Sequence, residues 1–416
     1  MTNPEDQVKS TKEIKLCSHA DCTGCMACKQ KCRHEAISVT YEKGFAYPEI
    51  DADKCVSCGL CVNSCPVLNA KGAKGNTHEN ETVCLAAWNK DEHVRMNSSS
   101  GGSFSVMAEK VLTDGGVVFG AAWSEGMNLC HRYIESSEEL DALRRSKYVQ
   151  SDTGNTFNEV QRFLREGRKV LYCGTPCQIA GLTAFLGYKE YDNLIKVDVI
   201  CQGVPSNEIF KKYVSEIEDK YGVEVIDANF RSKDRGWRCG LLLLLRARKG
   251  GKTYWIKRVF SKNAYYNAFI QEYFMRDSCY DCKFKCNHQG YYSDISIADF
   301  WRIGKNIPFQ AEKYEKGISA VIVNTAKGKS FFAECHNTLN VIERTWDEFM
   351  TNGGMYPCHK RKNNDEAYGY LQSHSWEETQ AKYFPLSLKR KIKIFLFLLV
   401  GEKGIRRMLK MLGKIK

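Results

Sequence analysis

Eight cysteines in two matching runs are the residues best placed to do chemistry in this chain. Cys22, Cys25, Cys28 and Cys32 stand in a C-x2-C-x2-C-x3-C pattern, and Cys55, Cys58, Cys61 and Cys65 repeat it 33 residues later. Thiolates are soft ligands that select iron–sulfur clusters over harder ions. In this spacing three cysteines of a tight loop fold onto one cubane. The fourth, leading into a short helix, reaches across to the other cluster. The expected ligand sets are therefore Cys22, Cys25, Cys28 and Cys65 for one [4Fe–4S] cluster, and Cys55, Cys58, Cys61 and Cys32 for the second. Zinc sites instead tend to pair two C-x2-C knuckles across a longer loop. Only the second run is followed by a proline, Pro66; Arg33 follows the first, which weakens its turn signature but removes no ligand. Cys17 lies outside the pattern and reads as a spare thiol.

The rest of the composition fits a redox protein with further domains. The chain has 416 residues and 20 cysteines, nine of them between Cys17 and Cys65. At roughly 150 residues per domain, two or three domains are expected. Residues 1–15 are polar and lack an apolar signal region, so a cytoplasmic location is expected, where thiols stay reduced and bind metal rather than pair as disulfides. The net charge of +12 is concentrated: ten Lys or Arg against Glu402 put +9 of it between Lys389 and Lys416. The remaining body is nearly neutral and shows no aromatic-studded basic face, which argues against nucleic-acid binding. No apolar run approaches the roughly 18 residues of a membrane span.

Organisation follows from the pattern of apolar runs and turns. A ferredoxin-type domain over 13–70 is followed by a Gly-rich polar linker at 71–82. Strands are expected at 116–123, 169–173 and 194–200, with helices after the last two, through 186 and over 207–220. Alternating strands and helices predict an α/β body with a parallel or mixed sheet. A hairpin at 241–260 and strands at 293–300 and 318–324 come next. Residues 346–385 read as irregular, and 386–416 as a basic amphipathic helix suited to an anionic membrane surface or to docking on the body. The fold class is thus α+β or α/β, with a two-cluster ferredoxin module, an α/β domain and a basic tail.

Several body motifs are carried together: SSSGGSF at 98–104, SKYVQSD at 146–152, KVLYCGTPCQIAGL at 169–182, VDVICQGVPS at 197–206, FRSKDRGW at 230–237, CYDCKF at 279–284, DISIADFW at 294–301 and the stretch Gly317 to Thr325. In this order they resemble the beta subunit family of coenzyme F-420 hydrogenase/dehydrogenase, flavoproteins that exchange electrons with a deazaflavin coenzyme. The resemblance divides the body into an N-terminal-like region at 83–165 and a C-terminal-like flavin and iron–sulfur region at 166–345.

Cys177 and Cys201 each follow an expected strand, on the edge where open α/β sheets place ligands. Cys279 and Cys282 add a C-x2-C pair from a later loop. These four could hold a third [4Fe–4S] cluster, and the resemblance implies them as its ligands; Cys286 and Cys173 have the spacing to compete, and buried structural cysteines are the bland alternative.

The resemblance further implies FAD. Ser100, Gly101 and Gly102 open an expected helix, where N–H groups and the helix dipole favour a phosphate. Lys147 and Gln150 are expected to face the flavin, with Lys147 stabilising a reduced, anionic ring, and Gly174, Thr175 and Pro176 form a turn able to approach a cofactor. Asp294 and Asp299 read as strand-end carboxylates or, less readily, as catalytic ones. A flavin also suits the logic of the chain, because it couples single electrons to two-electron organic chemistry. The expected partners are a redox protein or reduced ferredoxin and a small-molecule substrate. Two functions follow: an FAD- and iron–sulfur-dependent oxidoreductase, or an electron-transfer subunit of a larger complex.

Overall fold

The computed structural model describes residues 14–70, 82–234, 236–237, 242–259, 263–285, 291–304, 307–310, 315–349, 353–388 and scattered positions beyond. The linker (all but residue 82), Cys286 and most of the basic tail lie outside the described residues.

The N-terminal module is an antiparallel hairpin, β1 (Ile37–Glu42) and β2 (Phe45–Ile50), with the short helices α1 (Ala27–Lys31) and α2 (Leu60–Asn63). Its two cysteine loops share one backbone path. Positive φ occurs at Gly24 and Met26 in the first loop, and at the equivalent Ser57 and Gly59 in the second. Left-handed backbone is uncommon away from glycine, so Met26 and Ser57 hold a conformation that the other copy gives to a glycine. The repeated spacing has become repeated loop geometry.

The body is built on β3 (Val83–Asn89), β4 (Val117–Ser124), β5 (Asn128–Ile134), β6 (Val170–Gly174), β7 (Leu194–Val199), β8 (Glu224–Asn229), β9 (Leu242–Lys249), β10 (Lys252–Val259), β11 (Ile295–Asp299), β12 (Ser319–Val323) and β13 (Leu339–Arg344). Eight of these form a mixed sheet in the order β13-β3-β12-β11-β7-β6-β4-β5. The middle, β11-β7-β6-β4, is parallel, and antiparallel strands extend it on both sides. Strands covered on both faces read as continuous apolar runs. Accordingly β12 is buried at all five positions.

Helices cover both faces. The helices α3 (Glu92–Met96) and α4 (Ser103–Thr113) follow β3, and α5 (Leu140–Leu143) and α6 (Thr156–Arg165) follow β5. Next come α7 (Pro176–Phe185), α8 (Asn207–Tyr221), α9 (Ala264–Ile270), α10 (Asp277–Tyr280) and α11 (Ala326–Glu334). Met107 and Val111 of α4 and Phe331 and Phe332 of α11 pack with Val118, Leu171 and Ile195 on one face. Phe157 of α6 and Ile179 and Leu182 of α7 pack with Val117, Phe119 and Tyr172 on the other. The mixed α/β sheet expected from the sequence is therefore present, and the divide placed at 165/166 runs through a single sheet.

A second sheet, β10-β9-β8, packs with α8. Residues 346–385, read as irregular, instead hold α12 (Trp346–Phe349), α13 (Asn364–Ser373) and α14 (Trp376–Tyr383). These helices are short, ten residues at most, so periodicity gives little signal. Tertiary packing stabilises them: Trp376 is 1 % exposed, edge-on to Tyr213 and Tyr265. Among the described residues no helix is long and apolar enough to cross a membrane.

Candidate redox centre

Each cysteine loop of the first module rings a small cavity of ≈ 20 Å³. One is lined by Cys22, Cys25, Cys28 and Cys65, the other by Cys55, Cys58, Cys61 and Cys32. The fourth cysteine of each run thus crosses to the other loop, as the spacing implies. Backbone N–H groups of Gly24, Ala27 and Lys29 donate to the sulfurs of Cys22, Cys25 and Cys28, and those of Val67 and Leu68 to Cys65. Such N–H···S bonds favour the charged sulfur and help set a cluster's potential. Burial, with the neighbouring Cys22, Cys65 and Cys177 sulfurs, pushes the Cys25 thiol up to about 12, so holding it as a thiolate requires the positive charge of bound metal. The donor set and the cavities fit two cubanes.

Cys17 is not a bystander. It lines the first cavity and its thiol is hydrogen-bonded to both Cys22 and Cys65. That contact favours the charged form of Cys22 and Cys65 and raises Cys17 itself. Spacing could not show this, because Cys17 precedes the motif.

The third thiol group is formed from three loops. Cys177 lies in the first turn of α7, where Pro176 occupies a position whose N–H has no helical partner. Gln178 closes the start of the helix by accepting from the Thr175 N–H at 2.9 Å. Cys177 lies within electrostatic reach of Cys201, Cys279 and Cys282, and burial raises all four. N–H groups of Phe284 and Lys285 donate to Cys282. Cys358, not anticipated from the sequence, joins their surroundings and is linked to Cys279 by a backbone hydrogen bond of 3.1 Å. Cys173 stands apart, beside Asp198 and Lys147. Cysteine spacing could not reveal Cys358, which follows Cys282 by 76 residues.

A cavity of ≈ 610 Å³ opens at the carboxyl edge of the parallel strands, and Cys177 and Cys201 form part of its wall. Its size suits an organic cofactor or ligand. Ser100, Gly102, Lys147, Gln150, Gly174 and Thr175 line it. Gly101 and Pro176 do not. A Cβ on Gly101 would lie 2.1 Å from the Ala87 carbonyl oxygen, so this glycine serves close packing against β3, while Pro176 starts α7. The hydroxyl of Ser100 is already given to the Ile318 carbonyl at 2.6 Å. Next to it Ser103, at the first position of α4, lines the same cavity with a buried Oγ that has no hydrogen-bond partner. A phosphate oxygen would satisfy that hydroxyl and the free N–H groups of the helix start, so the residues present fit the diphosphate of a flavin nucleotide.

Lys147 is half-buried in the cavity wall, and loss of solvent around its ammonium lowers it to about 7. Its ammonium donates to the carbonyls of Ala142, Leu143, Arg144 and Arg145 at 2.7–3.3 Å. Three donors shared among four carbonyls anchor it to the end of α5, so it is tied to the protein rather than aimed freely at a ligand. His131 is also fixed: Nε2–H donates to the Cys173 carbonyl at 3.0 Å and Nδ1 accepts from Ser151 Oγ at 2.7 Å. Asp294 serves structure, accepting from the Lys196 N–H and from Thr325 Oγ1 at 2.8 and 2.9 Å. Asp299 lines the cavity.

The module is bolted to this body by Arg276, 1 % exposed. Its Nε donates to the Cys22 carbonyl at 2.6 Å and Nη2 to the Ala46 carbonyl at 2.9 Å, and its plane lies 4.4 Å from the Tyr47 ring centre. On the body side Nη1 donates to Gln150 Oε1 at 3.1 Å, and Gln150 Nε2 donates to the Thr23 carbonyl at 2.9 Å. Gln150 therefore joins the module to the cavity wall.

A ferredoxin-type module docked on a mixed-sheet α/β body, with thiol groups leading to a ligand cavity, is the arrangement of an iron–sulfur protein. Residues 21–69 match the 4Fe-4S dicluster domain, and residues 167–347 match the family described as the C terminus of the coenzyme F420 hydrogenase/dehydrogenase beta subunit. The chain thus carries a stretch similar to that C-terminal domain, preceded by a stretch similar to a dicluster ferredoxin domain. The B subunit of the ion-translocating oxidoreductase complex of Methanosarcina acetivorans is 40 % identical over 55 residues, 13 % of this chain and 19 % of that protein. The chain thus spans about a fifth of the curated relative it matches. A solved chain of the F420-reducing [NiFe] hydrogenase complex from Methanosarcina barkeri aligns over 74 % of this chain and 94 % of its own, at 14 % identity and a TM-score of 0.40.

Proposed function

We propose that the chain is an iron–sulfur flavoprotein oxidoreductase that passes electrons between ferredoxin-type [4Fe–4S] clusters and FAD, serving an organic or deazaflavin-like substrate. One observation carries this reading: the thiol groups and the cavity form a contiguous series. Cys58 is exposed at the second cavity, Cys25 of the first set lies within electrostatic reach of Cys177, and Cys177 borders the large cavity. Cys22, Cys25, Cys28 and Cys65 would hold one cluster, Cys55, Cys58, Cys61 and Cys32 another, and Cys177, Cys201, Cys279 and Cys282 a third. Bound clusters supply one-electron transfer, and a flavin supplies the exchange between one- and two-electron chemistry. Ser103, Gly102 and the start of α4 would take the nucleotide's phosphates, while Gly174 and Thr175 approach it closely.

Anaerobic purification with iron, sulfide and flavin measured together tests the reading. About twelve iron and one FAD per chain are expected; protein carrying zinc, or no flavin released on denaturation, overturns it.

The second reading is an electron-transfer subunit of a larger complex. The exposure of Cys58 and Val56 at the outer cavity favours it, as does the matched family's designation as a beta subunit. Turnover of a donor–substrate pair by the isolated chain supports the enzyme; turnover only after adding a partner supports the subunit.

A further inference from the structure

Arg231 is a wall residue of the large cavity, only 4 % exposed, and the series of thiols makes no use of it. Its Nη1 donates to Asp299 Oδ2 at 2.8 Å and to the Tyr148 hydroxyl at 3.3 Å. The guanidinium lies 4.4 Å from the Trp301 ring centre. Asp299 is fixed in turn by Trp237 Nε1 at 3.0 Å, and the Trp237 and Trp301 rings stack at 5.0 Å and 7°. The position of the arginine is thus set on one edge and one face.

Its other edge is not filled. Nε and Nη2 are buried and have no hydrogen-bond partner among the described residues. Leaving a buried donor unpaired costs roughly 1–3 kcal/mol, more when the group is charged. Nε and Nη2 together form a planar fork that matches two oxygens of a carboxylate or phosphate. Asp299 engages only Nη1, so it neutralises charge without closing that fork. The neighbouring cavity wall is aromatic, with Tyr266 and Phe269 beside Trp301.

We propose that the Nε–Nη2 edge of Arg231 binds an acidic oxygen group, carboxylate or phosphate, of a flat conjugated molecule taken into this cavity. This deepens the proposed function, on which it rests for the redox role of that molecule. The acidic group belongs either to the substrate or to the cofactor's own phosphates, and the two sources separate experimentally.

The full-length protein is purified anaerobically as wild type, Arg231→Gln and Arg231→Lys, with iron content and near-ultraviolet circular dichroism matched to exclude misfolding. Benzoate, phenyl phosphate and the neutral benzamide are titrated by calorimetry, and retained flavin per chain is counted. For a substrate site, wild type binds benzoate or phenyl phosphate at least about tenfold more tightly than benzamide. Arg231→Gln loses that preference while keeping its flavin, and Arg231→Lys recovers only part of it. For a cofactor site, neither anion is preferred and Arg231→Gln releases flavin. Equal binding of all three probes to wild type, with flavin fully retained by Arg231→Gln, overturns the proposal. Anion preference that follows Arg231 in protein without flavin keeps the proposal and removes the flavin reading alone.

Discussion

Gly181 of α7 lies against Cys25: a Cβ built on Gly181 would meet the Cys25 Cβ at 2.8 Å and its sulfur at 2.9 Å. The helix that carries Cys177 therefore touches the first cysteine loop directly, with no side chain between them. Replacing Gly181 by Ala improves helix propensity by about 1 kcal/mol. Overpacking typically costs about 1–3 kcal/mol, and here the opposing atoms are a short, buried side chain. Gly181→Val is expected to lower the denaturant midpoint and to slow reduction of the body from the module. An unchanged midpoint and reduction rate would show that this contact has neither role.

Arg276 should resist conservative replacement. Lysine cannot reproduce a fork that reaches the Cys22 and Ala46 carbonyls and Gln150 together. Arg276→Lys is expected to destabilise the docked module by about 3 kcal/mol. It also removes the delocalised charge beside Cys22, so the potential of the first cluster should shift more than that of the second. Redox titration followed by electron paramagnetic resonance measures both.

Third-group membership is checked by counting iron. With Cys201 among the ligands, Cys201→Ala should bring the iron content from about twelve to about eight per chain, leaving the ferredoxin signals intact. Twelve iron retained in Cys201→Ala would exclude it from the ligand set, and the same substitution at Cys358 asks whether that neighbour replaces it.

Cys17→Ala should leave the iron count unchanged and still move the potential of the first cluster, because it removes a hydrogen bond to Cys22 and Cys65 sulfurs. Loss of four iron would make Cys17 a ligand instead.

Acid sensitivity should trace in part to His131. Burial holds it at about 4, against roughly 6.5 in an unfolded chain. The unfolded state therefore takes up a proton at higher pH than the folded state. The contribution of neutral His131 is intact above about pH 6.5 and is lost as pH falls towards 4, reaching about 2 kcal/mol at pH 5. Urea midpoints at pH 7.5 and 5 should converge by that amount in His131→Gln relative to wild type; an equal pH dependence in both proteins would assign the acid loss elsewhere.

The grouping of cysteines around the first two cavities was legible in the chain because its geometry is local. Three cysteines per loop lie three residues apart, and a short positive-φ path turns that spacing into a cavity without help from the rest of the molecule. Strands β4, β6, β7, β11 and β12 were legible for a similar reason, since strands covered on both faces are mostly apolar. Helices α12 to α14 were not, because each is too short to show a clear period and long-range packing around Trp376 selects them.

What tertiary structure alone decided is which distant residues meet. Cys17 beside Cys65, Arg276 on Cys22, Gly181 on Cys25, Ser103 at the cavity and Arg231 with its open edge follow no spacing rule, because each depends on how separate segments pack. The sequence by itself determined that soft ligands would be gathered in pairs of loops; the packing of the sheet determined where those loops lie and which donors were left without partners in the residues of the cavity wall.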